Sequence, residues 1–208
     1  MDYRKQFRVK PGQKLRLDKL DPAYAGKHES EAEAKEEAEH YLKKLARQQD
    51  LLYAEHKHSV LIVLQAMDAG GKDGTIKHVF SGVNPQGVAV ASFKQPTPVE
   101  LAHDFLWRVH AQAPRAGEIV IFNRSHYEDV LATRVHKLID KQTCARRYQH
   151  ICDFEALLAE SGTRSSNSSS ISARKSSWRA SLNALMTRRG IGRSANPIFR
   201  AQIVGRLH

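Results

Sequence analysis

The sequence predicts an α/β fold: a parallel sheet with helices on both faces. Three observations carry that reading. Short apolar runs alternate with stretches of helical periodicity from Ser30 to Glu160. The first apolar run, His58 to Ala66 (HSVLIVLQA), has a continuous aliphatic centre, the pattern of a strand buried on both faces. That run empties directly into a glycine-rich turn that opens a helix, the strand–turn–helix order from which layered α/β domains are built.

In chain order, residues 1–28 are polar and broken by Pro11, Gly12, Pro22 and Gly26, and they read as an extended arm. Ser30 can cap a helix whose first turn is acidic, and Ala38, Tyr41, Leu42, Leu45 and Leu52 lie along one of its faces. The Glu/Lys run over 31–44 is its solvated side. Strands are expected at 58–66, 87–93 and 118–122. Helices are expected at 72–80, at 98–110 with Leu101, Phe105 and Val109 inward, at 127–138 and at 141–160. There is no internal repeat. At Ser165 the character changes: eight of the 13 residues from Ser165 to Ser177 are serine, and short arginine-rich clusters follow.

Composition narrows the class. With 208 residues, 41% hydrophobic and 26% charged, the chain matches one globular domain with an appended arm. The longest aliphatic run, Val60 to Leu64, is far too short to span a bilayer, and residues 1–8 lack the apolar centre of a secretion signal. Cys144 and Cys152 are eight apart in a helical stretch, roughly 12 Å at helical rise, too far to bridge. A reduced, cytoplasmic protein is therefore expected. The net charge of +11 suggests a polyanion partner, but nine of the 33 Lys/Arg and none of the 22 Asp/Glu lie in residues 164–208. The remainder, 24 basic against 22 acidic, is +2, so the basicity belongs to the tail.

The sharpest chemical signal is Ala66-Met-Asp-Ala-Gly-Gly-Lys-Asp-Gly74 after the first strand. Backbone N–H groups of a glycine turn at a helix N-terminus form an anion nest. Gly70, Gly71 and Gly74 allow close approach of a phosphate, Lys72 brings a mobile positive charge, and Asp68 can hold magnesium directly or through water. The generic GxxxxGK[ST] pattern is broken twice, by Ala66 for the first glycine and by Asp73 for the Ser/Thr. A tight strand–helix turn would need the glycines but does not account for Lys72 between two aspartates. The third strand ends in Phe122-Asn-Arg-Ser-His-Tyr-Glu-Asp129, and ligands of parallel sheets collect at the carboxyl ends of strands. Asn123, Arg124 and Glu128 are thereby placed in the crevice with Lys72, and the second strand delivers Lys94 to the same edge. Three strand ends each carry a cation. The 11 histidines include no zinc-binding spacing and read as packing or surface residues, His126 among them.

These motifs, with HDFLWRVH and RYQHICDFEALLAESGT, run almost without a gap from Leu51 to Thr163, and over that span the chain resembles the polyphosphate kinase type 2 family. The resemblance implies a phosphate-loop kinase-like three-layer sandwich and phosphoryl transfer between inorganic polyphosphate and nucleotides. Asp68 would be the magnesium (or manganese) carboxylate, and Asp68, Lys72 and Arg124 the catalytic set. Phosphate contacts would come from Gly70, Gly71, Lys72, Asp73, Gly74, Thr75 and Lys94. Asn123, Arg124 and Glu128 would meet the acceptor nucleotide, and FNRSHYED resembles the subgroup that takes AMP and ADP or other purine nucleotides. Dimers or tetramers are implied, with no membrane or nucleic-acid partner.

After Thr163 the resemblance stops. The family continues with a strand like ILKFFLHIS and a basic lid; this chain has RSSNSSSIS. Suitable codons for Ser165–Ser172, read one base earlier, give Ile-Leu-Lys-Phe-Phe-Leu-His-Ile. The same shift converts 173–181 to KEEQLARF and 190–196 to NWKISE; the other shifted frame converts 200–208 to ERKSWDDY. The tail thus reads as out-of-frame translation. The division expected is 1–50 arm and helix, 51–163 phosphate-loop core and 164–208 aberrant tail, without the last strands and lid. The competing function is a non-catalytic phosphate-binding module with a basic, nucleic-acid-binding tail.

Overall fold

The computed structural model describes residues 7–9, 28, 30–66, 71–170 and 201–203. Helix α1 (Glu31–Glu55) starts where the Ser30 hydroxyl accepts the Glu33 N–H at 3.2 Å and ends at His56 in the left-handed region. Ala38, Leu42, Leu45 and Leu52 are half-buried as expected, while Tyr41 is exposed; the helix's buried residue is the polar Gln49, whose Oε1 accepts the Asn84 N–H at 3.0 Å.

Strand β1 (Arg8–Val9) comes first in the chain, and α1 is followed by β2 (Ser59–Ala66), α2 (Lys72–Val79) and β3 (Val88–Ser92). Two one-turn helices, α3 (Pro98–Leu101) and α4 (Trp107–His110), precede β4 (Ile119–Asn123), α5 (Glu128–Val135) and α6 (Lys141–Glu160). Strands β5 (Thr163–Ser170) and β6 (Ala201–Ile203) complete a six-stranded sheet of order β1-β6-β5-β2-β4-β3. β6, β5, β2, β4 and β3 run parallel, and β1 pairs antiparallel with β6. This is the α/β architecture expected. The register sets Leu61 beside Val120 and Val63 beside Phe122. These four join Val109, Tyr127, Val130, Leu131, Ile151, Phe154 and Leu158 in one core cluster, which α4, α5 and α6 cover.

Two expectations are corrected. The single helix over 98–110 is two short turns. The Thr97–Glu100 capping box starts the first, but the Asp104 carboxylate accepts the Leu106 N–H at 2.9 Å and begins a new turn, which leaves Leu101 69% exposed. The second correction is larger. The serine-rich stretch forms a strand, β5, paired with β2 at all eight positions from Ser59–Thr163 to Ala66–Ser170. α6 ends at Glu160, Gly162 at φ +90° then turns the chain into β5, and no proline or glycine interrupts 163–170. The edge of β2 then offers a full row of backbone partners, and those bonds do not depend on the side chains. Polar side chains in this place do leave a cost: Ser165 Oγ and Asn167 Oδ1 are buried without a hydrogen-bond partner among the described residues. The expected absence of a lid, and of strands within 171–200, lies outside the described residues.

Candidate active site

β2 carries the chain to the glycine turn. Residues 67–70 lie outside the described residues, and the expectations placed on Asp68 and Gly70 with them. Gly71 enters α2 at φ +82°, a left-handed conformation that costs any side chain but glycine. The Thr75 N–H and hydroxyl both donate to the Gly71 carbonyl, at 2.9 and 3.0 Å, and so close the first turn. Among the described residues a Cβ added at Gly74 would meet no atom within 4 Å, so packing does not require glycine there. Lys72 is half-buried and donates from Nζ to the Ala66 carbonyl at 3.0 Å, spanning the turn from its far side to the last residue of β2.

β4 ends one strand away. Its last residue, Asn123, donates from Nδ2 to Asp73 Oδ1 at 2.6 Å, which ties the strand end to the first turn of α2. The Asn123 carbonyl accepts the Phe93 N–H at 3.1 Å, and the next N–H, that of Arg124, donates to the Leu64 carbonyl at 3.0 Å. One peptide unit is thus held by both neighbouring strands. Arg124 itself has φ +65°, a conformation a β-substituted residue adopts at a cost of order 1 kcal/mol and that gathers at functional sites. Lys94, exposed, follows Phe93 beyond β3, and Glu128, half-buried, opens α5. Among the described expectations, the structure brings Gly71, Lys72, Asp73, Gly74 and Thr75 together with Asn123 and Arg124 at the carboxyl ends of β2 and β4; Lys94 stands one strand farther out. Basic residues just beyond two adjacent strands, with Lys72 at the start of α2, are an arrangement suited to a polyanionic chain of phosphates.

Sequence reasoning missed two groups behind this edge. Arg108 is 8% exposed, donates from Nη1 to the Lys94 carbonyl at 2.9 Å and from Nη2 to Asp129 Oδ2 at 3.4 Å, and lies over the Phe93 ring. Burial pushes the Asp129 carboxyl up, against the opposing pull of the Arg108 guanidinium. The second group is a buried polar knot. Glu155 Oε1 accepts from Tyr127 Oη at 2.8 Å and from Asn167 Nδ2 at 3.3 Å, with His126 Nε2 also at 3.3 Å. Burial, then the adjacent Glu155 carboxylate, drives the Tyr127 hydroxyl well above its ordinary range. His126 is wholly buried and also meets Glu155 in this knot, which is more than the packing expected of it. The partners in both groups are 12 to 40 residues apart, so no local spacing announces them.

Among the described residues no helix is long and apolar enough to cross a membrane, and no group of three or more His, Cys, Asp or Glu could hold a metal ion. Comparison with known proteins is specific. The sequence model of polyphosphate kinase 2 (PPK2) matches residues 27–173. An AMP/ADP-polyphosphate phosphotransferase of Meiothermus ruber is 56% identical over 160 residues, 76% of this chain and 60% of its own length. An ADP-polyphosphate phosphotransferase of Rhodopseudomonas palustris is 45% identical over 176 residues and is likewise covered over 60% of its length. This chain therefore spans about 60% of these curated relatives. The crystal structure of polyphosphate kinase 2 from Arthrobacter aurescens TC1 superposes with a TM-score of 0.84 at 31% identity, over 99% of this chain and 82% of the other. With the family model covering most of the chain, and the fold and its strand-end motifs in agreement, the chain belongs to the polyphosphate kinase 2 family.

Proposed function

We propose that this chain carries the phosphate-loop core of an enzyme that transfers a phosphoryl group between inorganic polyphosphate and AMP or ADP. What supports the reading above all is the pinned Asn123–Arg124 peptide. It sets a strained arginine at the end of β4, beside the glycine turn and Lys72, and hydrogen-bonds Asn123 to Asp73. The names of the relatives, which act on polyphosphate with AMP or ADP, supply the substrate class. In the direction of nucleotide synthesis, a terminal phosphate oxygen of the acceptor attacks the terminal phosphorus of polyphosphate. The bridging P–O bond breaks, and a chain one phosphate shorter leaves with its oxygen's electron pair. Little covalent work falls to the protein: Lys72, Arg124 and Lys94 neutralise and align the phosphates, and the N–H groups of the first turn of α2 cradle one of them.

The exposed Asp73 carboxylate, tied to the Asn123 amide, is hard oxygen chemistry of the kind magnesium takes together with water and phosphate oxygens. Asp68 together with Asp73 would hold the ion, which would supply neutralisation of phosphate charge. The segment after Thr163 belongs to the same proposal: its sequence is a shifted frame, and the chain as written turns over more slowly than its frame-corrected form.

The test is polyphosphate-dependent formation of ADP from AMP and of ATP from ADP, by both forms of the chain. Lys72→Ala abolishes the activity, and Arg124→Gly abolishes it while relieving backbone strain. Turnover by Lys72→Ala near that of the parent overturns the assignment, and equal rates from both forms overturn the reading of the tail.

A further inference from the structure

We infer that Arg108 is a positioning residue that sets the place of Lys94 relative to the start of α5. The inference rests on the phosphate-binding reading proposed for this edge. Arg108 sits on α4, yet its side chain is nearly sealed from solvent and its polar contacts reach the exit of β3, the start of α3 and the first turn of α5. Nη1 donates to the Lys94 carbonyl at 2.9 Å and stands 3.9 Å from Glu100 Oε2; Nη2 meets Asp129 Oδ2 at 3.4 Å. The segment from Lys94 to Thr97 belongs to no helix or strand, so its backbone has no ladder to define it. The contact with Arg108 supplies one fixed point, and the Thr97–Glu100 capping box supplies the other. Asp129 in turn lies in the first turn of α5, next to Glu128, and its carbonyl accepts from Arg147 at 2.7 Å. One planar fork thereby joins the β3 exit, which carries a candidate phosphate cation, to the helix that carries a candidate acceptor contact. A lysine cannot reproduce that fork, because its point charge cannot engage a carbonyl and a carboxylate in two fixed directions. Glu100 and Asp129 compensate the buried charge, so its charge is spent inside the fold and its function is geometric.

The role predicts coupling. Arg108→Lys should weaken binding of tripolyphosphate, measured by calorimetry on the full chain, by about tenfold, because a misplaced cation loses its aligned contact. Lys94→Ala should weaken it to a similar degree. The combination should be no worse than Lys94→Ala alone, since Arg108 acts through Lys94. The pair Arg108→Gln with Asp129→Asn removes both buried charges together and serves where Arg108→Lys disturbs folding; it should also bind about tenfold more weakly while keeping the parent's circular dichroism. Parent-like binding by the Arg108 variants, no effect of Lys94→Ala, or losses that simply add in the combined variant would overturn the inference. Failure of the unaltered chain to bind tripolyphosphate would instead overturn the phosphate reading on which it rests.

Discussion

Replacing Ser165 by valine should make the protein more stable. Ser165 stands beside Leu61, which is fully buried, and its Oγ is buried without a partner among the described residues. Removing an unsatisfied buried hydroxyl returns roughly 1–3 kcal/mol. Valine replaces the hydroxyl oxygen by a methyl and adds one further methyl, about 0.8 kcal/mol for the added carbon if it is buried, and its branching favours a strand by a few tenths more. Crowding against Leu61 takes some of this back. The expected gain is about 2 kcal/mol, or about 4–8 °C in Tm for a chain of this size. Urea unfolding followed by circular dichroism at 25 °C measures it. Arg164→Val is the control: Arg164 is exposed and sits beside Val60, so its change reports strand preference without burial. A Ser165→Val midpoint no higher than that of the control would refute the account of β5 as a strand with a buried, unsatisfied hydroxyl. The shifted frame puts isoleucine at this position, so the stabilising substitution runs toward that reading.

Glu155→Ala takes the shared acceptor from Tyr127, Asn167 and His126 and should cost about 3–5 kcal/mol in urea unfolding, whereas Glu155→Gln keeps an oxygen and should cost about 1 kcal/mol. Gly71→Ala meets no atom within 4 Å, so its whole cost is the left-handed backbone, about 1–2 kcal/mol by the same assay. The Asp140 carboxylate, which caps α6 by accepting the Thr143 N–H, is held below its ordinary value by that hydrogen bond. Its folded pKa is below the unfolded one, so its contribution is present above about pH 4 and is lost as pH falls through the folded value; Asp140→Asn should flatten the acid limb of Tm against pH. Asp129 has the opposite sign: raised by burial, it costs stability as pH rises from about 4 through its folded value, and Asp129→Asn should remove that decline.

The strands over 59–66, 88–92 and 119–123 were legible in the sequence because each is an apolar run closed by a turn, and α6 because its apolar residues recur at helical spacing. The glycine turn was legible for a different reason: glycines between a buried strand and a helix mark a tight connection, and Gly71 at φ +82° makes it. Leu101, Phe105 and Val109 share the spacing of one helix face, yet a single aspartate side chain bonded to a backbone N–H divides them into two turns. β5 was hidden because serine carries no hydrophobic period, while the pairing that makes it a strand comes from the backbone edge of β2. Arg108 and Glu155 were hidden because a buried charge is defined by partners that only the fold brings near.

The doubly held peptide between Asn123 and Arg124 also constrains how the molecule can move. Its carbonyl is tied to the N–H after β3 and its N–H to β2, so three strand ends are joined into one stiff plate. Sliding of β2 past β4 would break the Arg124 contact and strain the turn at the same time. Motion at this edge must therefore come from segments that leave the plate, such as 94–97, which belongs to no helix or strand. Amides at Phe93 and Arg124, held by these bonds, should therefore exchange with solvent more slowly than those of 94–97.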